Sequence, residues 1–211
     1  MKDVIGLVGF KGSGKDTAAS MFAEHGYHQD SFAAPLKDAV AQIFSWDRAM
    51  VEGATPDSRA WRERPDPYWS KAFGYDLLPR EVLQKFGTES MRNVFHDDIW
   101  VRSLMRRIET SSHSKFVISD VRFQNEVVAI RQLGGIVIRI RRGPEPPWML
   151  IADAANRGHR DAMQIMTDYG IHRSEWDWIG TEFEYVIEND GTLEELRAQL
   201  DRIVERRTIH A

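Results

Sequence analysis

The sequence predicts a three-layer α/β/α fold on a parallel central sheet, and three observations carry that expectation. The apolar run Val4-Ile5-Gly6-Leu7-Val8 leads straight into the glycine-rich turn Gly9-Phe10-Lys11-Gly12-Ser13-Gly14-Lys15-Asp16-Thr17, and then into a helical stretch. Two further unbroken apolar runs, Phe116-Val117-Ile118 and Ile136-Val137-Ile138, read as strands covered on both faces, as parallel sheets require. Strand-like and helix-like segments alternate along the chain.

In order, the first strand and turn are followed by a helix from Ala18 to Glu24, stopped by His25-Gly26. Tyr27 to Phe32 reads as a short second strand. Pro35 opens a helix that runs to about Phe44, because a first-turn proline has no N–H to lose. Residues 46–78 mix tryptophan, proline, glycine and charge, with too few aliphatics for a core, and are expected to form an irregular insert or flap. Pro79 to Arg92 reads as a helix broken at Gly87-Thr88. Asp97 to Glu109 places Val101, Leu104, Met105 and Ile108 on one helical face. Lys115 onward is a strand ending at Ser119-Asp120-Val121-Arg122, followed by a helix to Leu133 and a strand at Ile136–Ile140. Residues 148–169 look helical with a break at Asn156-Arg157-Gly158. Val186-Ile187 is a last strand, and Thr192-Leu193-Glu194-Glu195 caps a final helix.

The 211 residues suit one domain, with a substrate-side insert, irregular or helical, at about 46–112 and a lid-like segment at about 141–171. A net charge of −4 gives no general pull toward nucleic acid or anionic membrane, so an anionic ligand must be caught by local arginines. Without cysteine, disulfides, thiolate catalysis and Cys-based metal sites are excluded. No run of about 18 apolar residues and no signal-like N-terminus is found, which predicts a soluble, cytoplasmic protein with no membrane partner. The seven histidines lack metal-binding spacing.

The chemistry starts at the turn. A strand, a Gly-x₄-Gly-Lys turn and a helix are the context of a phosphate-binding P-loop. Glycines let successive N–H groups of Lys11, Gly12, Ser13 and Gly14 face an anion, and the helix N-terminus adds partial positive charge. Lys15 supplies a mobile cation for nucleotide β- and γ-phosphates. The usual Ser or Thr after the lysine is replaced by Asp16, a hard ligand suited to Mg²⁺, and Thr17 faces phosphate from the helix start. Ligands of such folds sit at the carboxyl ends of strands, where Asp120, Arg122, Arg142 and Asn189 fall. Asp120 either supports the metal or caps the helix that follows it. Arg122 can clamp a phosphoryl group. Arg141 and Arg142 are either lid cations or solvated surface charge.

These motifs together resemble one family, the deoxynucleoside monophosphate kinases of tailed bacteriophages. The likeness runs through the P-loop with its Lys15-Asp16-Thr17 departure, Ala34-Pro35-Leu36-Lys37-Asp38, Leu83 to Glu89, and Trp100-Val101. It continues through Asp120-Val121-Arg122 with Glu126, Gly134 to Arg142, His172-Arg173-Ser174-Glu175 and Val186 to Leu196. The resemblance implies a P-loop kinase fold, ATP as donor with Mg²⁺, and a deoxynucleoside monophosphate as acceptor. By matched position it places Leu36, Lys37, Arg80, Gly87, Thr88, Trp100 and Arg122 at the monophosphate, and Asn189 and Gly191 near adenine. Lys15, Asp120, Arg122 and Arg142 are then the catalytic set, and Asp16 and Asp120 the metal ligands. It also implies a homodimer and, for a phage protein, the host cytoplasm. Trp100 stays open as a core aromatic. Dephospho-coenzyme A and phosphomevalonate kinases are the nearest rivals. A regulatory or nucleic-acid-binding ATPase is disfavoured by the acidic charge.

Overall fold

The structure, a computed structural model, describes residues 2–209. It divides into two compact units. One comprises the chain up to Ser31 and from Leu104 onward; the other is Phe32–Ser103. The first unit opens with β1 (Asp3–Val8), α1 (Lys15–Glu24) and β2 (His28–Asp30).

The second unit is helical throughout. Its first element, α2 (Ala34–Phe44), starts with Pro35 in its first turn, as expected. The stretch 46–78 departs from the irregular flap expected of it. It holds α3 (Arg48–Glu52), α4 (Pro56–Arg62) and α5 (Pro67–Phe73). The physical reason lies in the residues that suggested a loop. Asp47, Thr55 and Asp66 accept hydrogen bonds from the first-turn N–H groups of these helices, and Pro56 and Pro67 occupy first-turn positions. Val51 and Leu77 of this stretch are buried, as are Val40 and Val82 on either side of it, and half-buried aromatic rings cluster as well. Phe44 stacks on Trp46 with centroids 4.5 Å apart, Trp46 meets Trp61 edge-on at 5.4 Å, and Phe44 meets Trp69 at 5.0 Å. The indole N–H groups are satisfied, Trp46 by Asp66 Oδ2 at 2.8 Å and Trp69 by the Phe44 carbonyl at 3.0 Å.

A second departure follows α6 (Pro79–Gln84). The helix does not break at Gly87-Thr88 but continues as a π-helical stretch, Lys85–Phe95. Gly87 provides space there, since a Cβ would come 2.8 Å from Leu36 Cδ2 on α2. Wider winding of this kind is rare and concentrates at functional sites.

The helix α7 (Ile99–Thr110) returns the chain to the first unit, which continues with β3 (Lys115–Ile118), α8 (Gln124–Gln132), β4 (Ile136–Arg141), α9 (Met149–Asn156), α10 (Arg160–Asp168), β5 (Tyr185–Glu188) and α11 (Leu193–Ile209). All five strands are parallel, in the order β2-β3-β1-β4-β5. Ile5 and Leu7 of β1 share one apolar cluster with Ala18, Met21 and Phe22 of α1 and Leu196, Leu200 and Ile203 of α11. Alternation along the strand turns Gly6 to the opposite face. A Cβ on Gly6 would run into the Ile130 side chain of α8, so this glycine lets the second helical layer close on the sheet. The three-layer α/β/α class expected from the sequence is the fold observed. From β1 the chain leaves toward the β2–β3 edge and later crosses to the β4–β5 edge, so the turn after β1 sits at the switch point where ligands of such sheets bind. Among the described residues no helix is long and apolar enough to cross a membrane.

Candidate active site

The turn after β1 has the shape its glycines allow. Gly12 and Gly14 take φ of 83° and 98°, in the left-handed region where a side chain is strained. Gly14 is also the N-cap of α1, and no side chain caps that helix, so its first N–H groups face outward. The Ser13 hydroxyl is buried with no hydrogen-bond partner among the described residues. An uncapped helix start, a left-handed glycine turn and an orphaned hydroxyl together fit a phosphate chain. Lys11, Asp16 and Thr17 are exposed around this cradle.

The Lys15 ammonium folds back over the loop, donating to the Gly9 carbonyl at 2.7 Å and the Phe10 carbonyl at 2.9 Å. Burial, then the Arg122 charge, lower its pKa to about 8, against the opposing pull of Asp16, Glu175 and Asp120. The P-loop and the β3 exit therefore share one electrostatic site, bringing together Lys15, Asp120 and Arg122 as the sequence suggested. A depressed lysine pKa predicts an alkaline limb. kcat/KM for the nucleotide should fall as pH rises through about 8, where free Lys15 loses its proton. kcat should hold to higher pH, because bound phosphates retain that proton. A pH series of steady-state constants checks this, and a flat kcat/KM to pH 9.5 would contradict it.

Arg122 is held at three points. Its Nη1 donates to Glu175 Oε1 at 2.9 Å and to the Ser174 carbonyl at 3.4 Å, and its backbone N–H donates to Glu126 Oε2 at 2.7 Å. Burial opposes its charge, but Glu175, Asp120 and Glu126 outweigh that and raise its pKa above the ordinary arginine value. Sequence reading assigned no role to Glu175 or Glu126. Their only signal was membership of the quoted motifs.

Asn189 lies at the end of β5, buried against the P-loop. Its Nδ2 donates to the Ser13 carbonyl at 2.8 Å, and its backbone N–H to the Arg141 carbonyl at 2.7 Å. A Cβ on Gly14 would collide with that amide, so the glycine and the asparagine are fitted to one another. Asn189→Ala should cost about 1–3 kcal/mol by orphaning the buried carbonyl. Denaturant melts should show the loss, and KM for the nucleotide should rise with it. Gly191 is exposed beside the Thr192–Glu195 capping box.

The segment after β4 meets the P-loop through aromatic rings. Phe10 lies 4.9 Å from Trp178, itself 2% exposed, and 5.5 Å from Trp148. Arg139 sits over Trp178 and pairs with Glu145. Arg141 forms a fork with Glu188, with contacts of 2.7 Å, whereas Arg142 is exposed and has no ion pair among the described residues.

In the second unit, the residues expected at a monophosphate are placed as follows. Lys37 pairs with Glu52, which Arg48 also grips at 2.6 Å. Arg80 pairs with Glu63 at 2.6 Å. Leu36 and Gly87 are in packing contact, and Thr88 is half-buried one step along the π-helical stretch. Trp100 is 8% exposed and its indole N–H donates to the Gly87 carbonyl at 2.8 Å.

A protein-family model described as deoxynucleotide monophosphate kinase matches residues 76–200, more than half of the chain. The chain belongs to the deoxynucleotide monophosphate kinase family. A relative in Acanthamoeba polyphaga mimivirus, named for the same kinase, is 38% identical over 154 residues, covering 66% of this chain and 74% of its own length. The deoxynucleoside-5′-monophosphate kinase of Escherichia phage T5 is 39% identical over 56 residues, 26% of this chain and 22% of the phage protein. The dephospho-CoA kinase of Chlorobaculum tepidum is 26% identical over 213 residues, spanning 95% of this chain and 92% of that protein. The chain is thus an enzyme of the nucleoside monophosphate kinase class. The family match begins downstream of the P-loop, at Asp76, so loop and match are separate lines of support.

Proposed function

We propose that the enzyme moves the γ-phosphoryl group of ATP, taken with Mg²⁺, to the 5′-phosphate of a deoxynucleoside monophosphate, giving the diphosphate and so supplying DNA precursors. The observation that carries this reading is the joining of Lys15, Asp120 and Arg122 at the P-loop, in a chain of this family. In this reading the N–H groups of Lys11, Gly12, Gly14 and Thr17 and the unpartnered Ser13 hydroxyl bind the donor phosphates, and Asn189 and Gly191 border the adenine. Lys15, Arg122 and Arg142 neutralise charge that spreads over the transferred group, which is most of what phosphoryl transfer asks of a protein. Mg²⁺, when bound, neutralises the donor phosphates. Asp16 and Asp120 would hold it, as hard oxygen donors suited to Mg²⁺. In the second unit, Lys37 and Arg80 take the acceptor phosphate, while Leu36, Gly87, Thr88 and Trp100 shape its site.

The full-length similarity to a dephospho-CoA kinase supports one second reading, with a larger acceptor. A coupled ADP-release assay with Mg-ATP separates the two. Each deoxynucleoside monophosphate, its ribose counterpart and dephospho-CoA are offered in turn. Stimulation by deoxynucleotides supports the proposal, and stimulation by dephospho-CoA alone replaces it. In the responsive assay, Lys37→Ala and Arg80→Ala should raise the acceptor KM about tenfold with smaller effects on kcat, each removing one charge-assisted bond.

A further inference from the structure

The stretch His172-Arg173-Ser174-Glu175 lies within the residues that the family model matches but has no role in the reading above. It forms a 3-10 turn, Arg173–Glu175, on the segment between α10 and β5. Several bonds fix its shape. His172 Nδ1 accepts from the Ser174 N–H at 3.2 Å and lies 2.8 Å from the Ser174 hydroxyl. Asn156, at the end of α9, donates from one Nδ2 to the carbonyls of Trp176, Asp177 and Ile179 at 3.1, 3.1 and 2.8 Å. Asp177, 3% exposed, takes the Arg173 Nε at 2.6 Å and the Gln124 N–H at 2.9 Å. The turn is therefore tied to α9 on one side and to the loop leaving β3 on the other. From this fixed base, Glu175 reaches the one arginine of that loop.

We propose that Glu175 is a positioning residue for phosphoryl transfer, carried on a braced turn so that its carboxylate fixes the Arg122 guanidinium at the P-loop before substrate arrives. The inference rests on the reading of Arg122 as a phosphate clamp. An arginine side chain has several rotamers to lose, and a guanidinium held in place beforehand loses less on engaging phosphate. Glu175 and Ser174 occupy Nη1. Among the described residues Nε and Nη2 hold no hydrogen bond, so the second edge of the fork is left to donate to a bidentate oxygen acceptor. Glu126 holds the backbone N–H groups of Arg122 and Phe123 and Asp177 that of Gln124, so the Glu175 carboxylate sets the arginine's side chain while they set its backbone.

The test is a double-mutant cycle on the full chain, using Mg-ATP and whichever monophosphate stimulates most, with Tm measured for every variant. Glu175→Ala is expected to lower kcat about 10²-fold with little change in either KM, the size of loss that a misplaced catalytic group produces. Glu175→Gln, which keeps an oxygen acceptor for Nη1, should recover to within about tenfold of the native rate. In the Arg122→Ala background, adding Glu175→Ala should cost nothing further, because the residue acts through the arginine. Losses that multiply across the cycle would overturn the proposal, as would a native kcat in Glu175→Ala. Should Glu175→Ala fail to fold, the same cycle run with Glu175→Gln decides by the same criterion. A native rate in Arg122→Ala would remove the clamp itself and this inference with it. A slow Arg122→Ala with a native-rate Glu175→Ala would remove only the inference.

Discussion

Lys15→Ala is expected to lower kcat by about 10²–10³-fold, the loss typical of deleting one preorganised charge from a transition-state site. The ammonium waits on the loop it serves, 2.7 and 2.9 Å from the carbonyls of Gly9 and Phe10. Phosphate oxygens arriving in the cradle offer it a better partner than two neutral carbonyls, so the side chain exchanges one set of acceptors for the other. Stability should change little, because burial already disfavours the charge that is removed. Lys15→Arg should not restore the rate, since a planar fork cannot replace a compact ammonium in a loop this tight. Coupled turnover assays beside thermal melts decide the matter. A native kcat in a folded Lys15→Ala protein would overturn the P-loop assignment.

Trp100→Ala is expected to be the most destabilising single change, at about 3–5 kcal/mol. Two costs combine in it. A large buried ring leaves a cavity, and the Gly87 carbonyl loses its indole donor inside the π-helical stretch. Trp100→Phe separates them. It keeps most of the volume and should cost about 1–3 kcal/mol through the orphaned carbonyl. Because Gly87 also packs on Leu36, loosening this knot should raise the acceptor KM along with the loss of stability. Urea melts give the first quantity and steady-state kinetics the second. A native-like melt with only the acceptor KM raised would assign Trp100 to base stacking instead.

Features that depend on near neighbours in the chain were legible in the sequence. The P-loop is written in Gly9 to Thr17, the strands in their apolar runs, and the α9–α10 break in Asn156-Arg157-Gly158. Asp120 and Arg122 could be placed because strand exits of a parallel sheet are predictable. The second unit was harder to read. Its half-buried aromatic cluster of Phe44, Trp46, Trp61 and Trp69 is scattered in sequence, and those rings look like loop residues beside so many prolines. The π-winding after Gln84 has no composition of its own, and Gly87 reads as a breaker until Leu36 is seen against it. The role of Glu175, and the bond by which Asn189 holds the P-loop, were hidden for another reason. Each acts on a residue far away in the chain, and no periodicity encodes a partner at that separation.

The bond from Asn189 to the Ser13 carbonyl spans 176 residues. The P-loop is thus completed by a side chain made 176 residues after it. During synthesis the first strand, the first helix and the glycine turn all leave the ribosome long before their amide clamp does. A nascent chain stalled short of position 189 should carry every residue of the P-loop and yet grip nucleotide poorly. Nucleotide retention on chains arrested before and after that point would then mark the moment at which the enzyme matures.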